Sequence, residues 1–303
     1  MTKIIIIRKK VLLSFSIFFI LIISLCIFFF NYNNLTSAFS INSKPNSSYY
    51  YDFDGDGIKD ELLISEPNDY YEVKIKTSKK EFLLNCSNMD SLRICPSYNL
   101  KVNILDLSRD NIPEIILTNY YNNSCQYYIF KWNGDSFENI FCCTDNILGI
   151  FNSNNSRTPF VLKSNFSNKN NFSSYFINGN ELSDITTSNL KIYSLDEIEK
   201  FIDLIEYSYE IMELPDIFTD NISSEELKIF WSLNKDTSQY KFQSAYFYDN
   251  DWNSLGEPSS IIWSLSFQQF DKYDSSKAPK EIIIHLTTTL DINQYKISSI
   301  KTT

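Results

Sequence analysis

The chain has 303 residues, 43% of them hydrophobic with 24 Phe and 20 Tyr, enough to bury a sizeable core in one large or two modest domains. Its net charge of -10 and pI near 4.7 exclude a nucleic-acid partner, because phosphate binding runs on clustered Lys and Arg and no basic stripe lies beyond the N-terminus. Heavy use of Ile, Asn, Lys, Tyr and Phe beside only 6 Gly and 8 Pro points to an AT-rich, low-GC bacterial source.

Residues 1–10 carry Lys3, Arg8, Lys9 and Lys10 and are followed by an uncharged apolar run over 11–30. At 1.5 Å rise per residue that run spans a ~30 Å hydrocarbon core, which predicts a transmembrane helix. The next charge is Lys44, so the positive-inside rule keeps the ten-residue N-terminus in the cytoplasm and sends the rest outside. A cleaved signal peptide would want a shorter apolar core and a small-x-small site close behind it, and "TSA" at 36–38 is a poor one. An uncleaved single-pass anchor in the cell membrane is therefore expected, then a linker over 31–47. Cys26 reads as filler of that helix, since Leu25 stands where a lipoprotein signal needs a small residue.

The stretch "DFDGDGIKDELLI" (52–64) aligns with "DLSRDNIPEIIL" (106–117). Asp52, Asp54, Asp56 and Asp60 match Asp106, Ser108, Asp110 and Glu114 at positions 1, 3, 5 and 9. Gly57 and Asn111 coincide at position 6, where a sharp turn asks for φ > 0. A degraded third copy, "NSNNSRTPFVL" (152–162), puts Asn152, Asn154, Ser156 and Phe160 at the oxygen positions and keeps Pro159 where the second copy has Pro113. Each loop runs into an apolar strand-like stretch and then a hairpin, so the unit is strand, acidic loop, strand, hairpin: a small antiparallel sheet, one blade of a propeller-like stack. Carboxylates at alternate positions converge when the chain wraps a tight turn, and with a main-chain carbonyl they form a hard oxygen cage suited to Ca²⁺. An EF-hand would need a bidentate Glu at position 12 and flanking helices, but Leu63 and Leu117 stand there inside β-like runs.

These two stretches resemble the FG-GAP or VCBS repeat, the calcium-bearing blade motif also found in integrin alpha-subunit propellers, over about 48–186. The resemblance implies Ca²⁺ held by Asp52, Asp54, Asp56, the Ile58 carbonyl and Asp60. It implies a weaker site at Asp106, Ser108, Asp110, the Ile112 carbonyl and Glu114. The third loop is expected to be structural only, and three blades are fewer than a closed propeller needs. A fourth stretch, "DNDWNSLGE" (249–257), places Asp249, Asp251, Asn253 and Glu257 at the same offsets, but Ser254 at the turn position and the absence of a surrounding repeat favour a solvated hairpin turn.

No C-x-x-C pair occurs among Cys86, Cys95, Cys125, Cys142 and Cys143, which leaves zinc and thioredoxin-like chemistry unsupported. A two-residue turn at Asn133-Gly134 would set Cys125 directly across from Cys142, so a cross-strand disulfide and two reduced, buried cysteines both fit.

From about residue 190 the pattern turns helical. Ser194 and Glu197 stand in capping-box spacing ahead of Leu195, Ile198, Ile202, Ile205 and Met212, with an end near Pro215. Ser223 and Glu226 repeat that spacing before a helix to 233, and strands are predicted over 240–248, 260–270, 280–290 and 294–302. This reads as a separate α+β domain over 190–303. Trp231, Trp252 and Trp263 suit core packing better than a ligand groove. The lone His285 lies mid-strand among apolar residues with no nucleophile motif near it, so it reads as a structural histidine.

The sequence as a whole predicts a mainly β protein: an N-terminal membrane helix, a propeller-like repeat region of about three blades, and a C-terminal α+β domain. The role expected is that of a calcium-binding module of the bacterial cell surface with a protein or glycan ligand, not an enzyme. The alternative is an envelope hydrolase whose C-terminal domain is catalytic and whose repeats bind substrate.

Overall fold

The computed structural model describes residues 18–19, 40–42, 47–85, 92–155, 157–166, 172–187, 192–207 and 213–302. The chain forms two compact units, Met1–Ser37 and Ala38–Thr303. Of the expected membrane segment only Phe18 and Phe19 are described, as helix; the rest of 11–30 lies outside the described residues, among which no helix is long and apolar enough to cross a membrane. Cys86, Ser156 and Met212 also lie outside them.

The second unit is mainly β. Strands β1 (Ser40–Asn42), β2 (Ser48–Tyr51), β3 (Asp60–Ser65), β4 (Glu72–Lys76) and β5 (Glu81–Leu83) come first, and β2 to β5 form a four-stranded antiparallel meander. Next, β6 (Lys101–Leu105), β7 (Glu114–Tyr121), β8 (Ser124–Trp132) and β9 (Phe137–Cys143) form a second meander, with β1 added antiparallel along β6. The third comprises β10 (Ile147–Phe151), β11 (Phe160–Ser164), β12 (Ser173–Asn178) and β13 (Glu181–Asp184). In each, an acidic or asparagine-rich loop joins the first strand to the second, so the unit read from the sequence is the unit that folds.

Burial follows from how the meanders stack. β3 and β4 alternate buried and half-buried residues, as expected of a sheet with one covered face. β6 and most of β7 are buried on both faces, because the second meander is sandwiched. Ile115, Leu117 and Phe130 pack on Leu62, Val73 and Ile75 of the first meander. Ile116, Tyr127 and Ile129 pack on Leu148, Ile150 and Val161 of the third.

The meanders do not close into a ring. The inner edge of β10 pairs in parallel with β14 (Ser238–Trp252), from Ile147↔Ala245 to Ile150↔Tyr248. β14 continues into the antiparallel β15 (Pro258–Asp271), β16 (Lys280–Asp291) and β17 (Gln294–Thr302), giving one eight-stranded sheet. The C-terminal part is therefore no separate domain, contrary to expectation, because it shares this sheet with the third meander. Gly149 fits the junction: a Cβ there would lie 1.9 Å from the ring of its register partner Phe247, which is fully buried.

Helix α1 (Leu195–Glu206) lays Ile198, Phe201, Ile202 and Ile205 on the sheet over Phe247, Trp263 and Phe267. Its expected capping box is absent. Ser194 adopts φ 59, and its hydroxyl accepts from Trp263 Nε1 (3.0 Å) and Thr288 Oγ1 (3.0 Å) inside the core. The second capping box is present at Ser223 and Glu226, before two short helical turns, α2 (Ser224–Leu227) and α3 (Ile229–Ser232).

The hairpin at 133–136 also departs from expectation. Asn133 Oδ1 accepts from the Asp135 and Ser136 N–H groups, Trp132 pairs with Phe137, and a bulge follows at Ile129/Phe130. The longer turn and the bulge slide the register, so Cys142 faces Tyr128 while Cys125 pairs with Tyr120 on the other side. Both are free thiols, Cys125 buried and Cys142 exposed, and the cross-strand disulfide is not formed.

Candidate metal centre and its two related loops

The first loop, between β2 and β3, is shaped by its carboxylates acting on its own backbone. Asp52 Oδ1 and Oδ2 accept from the N–H groups of Gly55 (2.7 Å) and Gly57 (2.8 Å). Asp54 Oδ1 accepts from Asp56 N–H (3.1 Å), and Asp60 Oδ2 accepts from Phe53 N–H (2.8 Å). The two glycines sit at φ 76 and 84, where side chains are strained, and the path folds back on itself.

As a result one carboxylate oxygen each from Asp52, Asp54 and Asp60 lies within 4.8 Å of the others. Asp60 is 2% exposed, and its Oδ1 has no hydrogen-bond partner. Burial, assisted by the charges of Asp54 and Asp52, pushes its carboxyl above the usual range against the pull of the Phe53 N–H. A buried carboxylate with one oxygen lacking a donor, gathered with two more carboxylates, is an all-oxygen arrangement that a hard divalent cation satisfies. Asp56 stands apart from this trio: it accepts from Ile58 N–H (2.9 Å) and from Ser78 Oγ (2.8 Å). The Ile58 side chain is exposed.

The second loop follows the same backbone path, with Arg109 (φ 60) and Asn111 (φ 68) where the first has Gly55 and Gly57. Asp106 accepts from the Asn111 N–H, as Asp52 does from Gly57, and from the Asp110 N–H, one residue beyond the counterpart of Gly55. Glu114 Oε2 accepts from Leu107 N–H (2.6 Å), as Asp60 does from Phe53. The inward oxygens differ in one respect. The ammonium of Lys131 donates to Ser108 Oγ (2.8 Å), Asp110 Oδ2 (2.7 Å) and Glu114 Oε1 (2.8 Å). Lys131 is 5% exposed and Glu114 fully buried. Burial opposes the lysine's charge, but its bonds to Asp110 and Glu114 hold its pKa above the ordinary value. The expected weaker ion site thus has three of its oxygens engaged by a side chain of the protein. Ile112 spends its side chain elsewhere, packed so near Gly55 that a Cβ there would meet its Cδ1 at 2.6 Å.

In the third loop Arg109 Nη2 donates to the carbonyl oxygens of Asn152 (2.8 Å), Ser153 (3.1 Å) and Asn155 (2.9 Å). The loop's N–H side meets Asp249, fully buried, which accepts from Ser153 N–H and Oγ and from Trp252 Nε1. The fourth acidic stretch is therefore a hairpin end. Asn253 Oδ1 holds the Leu255 and Glu257 N–H groups, and Asp249 serves the third loop.

Lys131 and Arg109 were invisible to the oxygen-position pattern, since neither is a ligand type. The signal that could have found Lys131 is a lone lysine closing the apolar strand "CQYYIFKW". His285 is half-buried in β16, its pKa lowered by burial and then by the charges of Lys101 and Lys301. Trp263 is core, Trp252 half-buried beside Arg157, and Trp231 exposed.

No protein-family model matches the chain, and no curated protein matches it. Among solved structures, an endo-arabinase from Bacteroides thetaiotaomicron VPI-5482 is similar over 88% of this chain and 83% of its own, at 8% identity and a TM-score of 0.34, a likeness too distant to speak for fold or activity.

Proposed function

We propose that this chain is a calcium-binding structural and binding module of the bacterial cell envelope, anchored in the membrane through residues 11–30 with the β unit outside. The three meanders are read as FG-GAP or VCBS-like blades in an open, propeller-like stack that presents a surface to a protein or glycan. Calcium is a fold cofactor in this reading: bound by Asp52, Asp54 and Asp60, it would order a loop whose carboxylates otherwise repel one another.

The observation that carries the reading is the gathering of Asp52, Asp54 and Asp60, the last buried and with its Oδ1 unpartnered. The test is thermal melting of the full-length protein in detergent with and without Ca²⁺. Millimolar Ca²⁺ should raise Tm, and Asp54→Ala with Asp60→Ala should abolish the rise; an unchanged wild-type Tm would sink the reading.

A further inference from the structure

We propose that the second and third loops carry cations of the chain itself, Lys131 and Arg109, so that the protein takes one divalent ion, at the first loop alone. The inference rests on the calcium reading of that loop and adds what decides it: the residue across from position 9 on the neighbouring strand.

The register makes the comparison direct. Ile115 pairs with Phe130, so the next step sets Glu114 opposite Lys131. Glu61 pairs with Lys76, so the next step sets Asp60 opposite Thr77. Val161 pairs with Tyr175, so Phe160 stands opposite Phe176. Directly opposed residues share a face of the sheet. Lys131 is long enough to carry its ammonium into the loop, and it meets the oxygens at positions 3, 5 and 9.

Thr77 is short and turned to its own hairpin, donating Oγ1–H to the Lys80 carbonyl (3.2 Å). It leaves Asp60 Oδ1 without a donor, whereas the matching Glu114 Oε1 is bonded to Lys131. The third pair is aromatic on both sides, and that loop offers carbonyl oxygens to Arg109 from the loop before it. A buried carboxylate is held in its charged form by a cation of either kind. A tethered ammonium supplies one permanently, while the first loop depends on the solution.

The structure therefore predicts a reciprocal exchange between two equivalent positions. The experiment counts bound Ca²⁺ by equilibrium dialysis on the full-length protein in detergent, with Tm in Ca²⁺ and in chelator, for the wild type, Lys131→Thr and Thr77→Lys. The expected counts are one for the wild type, two for Lys131→Thr and none for Thr77→Lys, whose Tm should no longer respond to chelator. A wild type that binds two ions, or a Thr77→Lys variant that keeps its ion, overturns the inference. One ion in both the wild type and Lys131→Thr overturns it too, and leaves the first-loop calcium site standing. No ion in the wild type but one in Lys131→Thr does the reverse: the first-loop reading falls and the lysine's role holds. If neither binds an ion, both fall. Should Lys131→Thr fold only in Ca²⁺, its ions are counted in Ca²⁺ and the count of two still decides; should it fold in neither condition, Thr77→Lys decides.

Discussion

Asp60 concentrates the chemistry of the first loop in one side chain. Its Oδ2 is a structural acceptor for Phe53 N–H, its Oδ1 is buried with no donor, and the carboxylate as a whole gathers with those of Asp52 and Asp54. The two oxygens make opposite predictions for Asp60→Asn. The amide oxygen still accepts from Phe53, and the amide nitrogen puts a neutral donor where the carboxylate had an unpartnered oxygen, beside two other carboxylates. In chelator the variant should melt higher than the wild type, by about 1–2 kcal/mol for an orphaned buried acceptor removed, or roughly 2–4 °C. In Ca²⁺ it should melt lower than the wild type, having lost a charged ligand. Melting curves in both conditions decide it, and a variant lower than the wild type in chelator would show that the Oδ1 carries no strain. The acidic residues and their spacing are visible in the sequence. That Asp56 turns away to Ser78 while Asp60 turns in is a matter of which backbone N–H groups each carboxylate reaches.

At the scale of elements, the short α2 turn is fastened to the sheet edge through one carboxylate. Glu226 accepts from Ser223 N–H and Oγ in the capping box, and it also accepts from Ser299 Oγ (2.7 Å) and Ile300 N–H (3.1 Å) of β17. The chain at Ile217 and Thr219 covers the same strand by bonding Ile297, so an edge that would otherwise template another chain is closed. Bonds led by Ser299 and Ser223 hold the Glu226 pKa down at about 2, against an ordinary 4.5. A depressed folded pKa means that stability is fully present above the unfolded value and is lost as pH falls through the folded one. The wild type should thus lose stability between about pH 4.5 and 2 from this group, and Glu226→Gln should be less stable at neutral pH with a flatter profile through that window. Denaturant unfolding at stepped pH measures it; parallel profiles for the two proteins would remove Glu226 from the account. The capping box was legible at Ser223 because it is a local pattern. At Ser194 the same pattern failed, because Trp263 and Thr288 compete for the hydroxyl and neither is near in sequence.

For the whole molecule, the second meander is tied to the C-terminal sheet by a buried polar layer. Lys101 of β6 pairs with Glu281 of β16 at 2.9 Å, both side chains nearly inaccessible. Glu281 also accepts from Ser266 Oγ and from Asn99 N–H, and Tyr98 donates to or accepts from Ser244 in the same layer. Removing one member strands a buried charge, so Glu281→Gln should cost about 3–5 kcal/mol, while the double change Lys101→Met with Glu281→Leu should cost far less. Urea unfolding of the three proteins checks this, and a double variant as unstable as the single one would mean that the layer is held by more than the pair.

The sequence by itself determined what repeats and what is local: the strand, loop, strand, hairpin unit, the left-handed turns at Gly57 and Asn111, the apolar face of α1, and the four C-terminal strands. Each element depends on residues close to one another along the chain, and the unit on their recurrence. Tertiary structure alone decided the rest. The parallel pairing of β10 with β14 joins segments almost a hundred residues apart and merges two regions that composition separates. The cations of the loops belong to the same class, since Lys131 reaches Glu114 across a strand pair and Arg109 reaches Asn152 across two meanders. Spacing along a chain records which oxygens a loop can offer; only the fold brings up the charge that answers them.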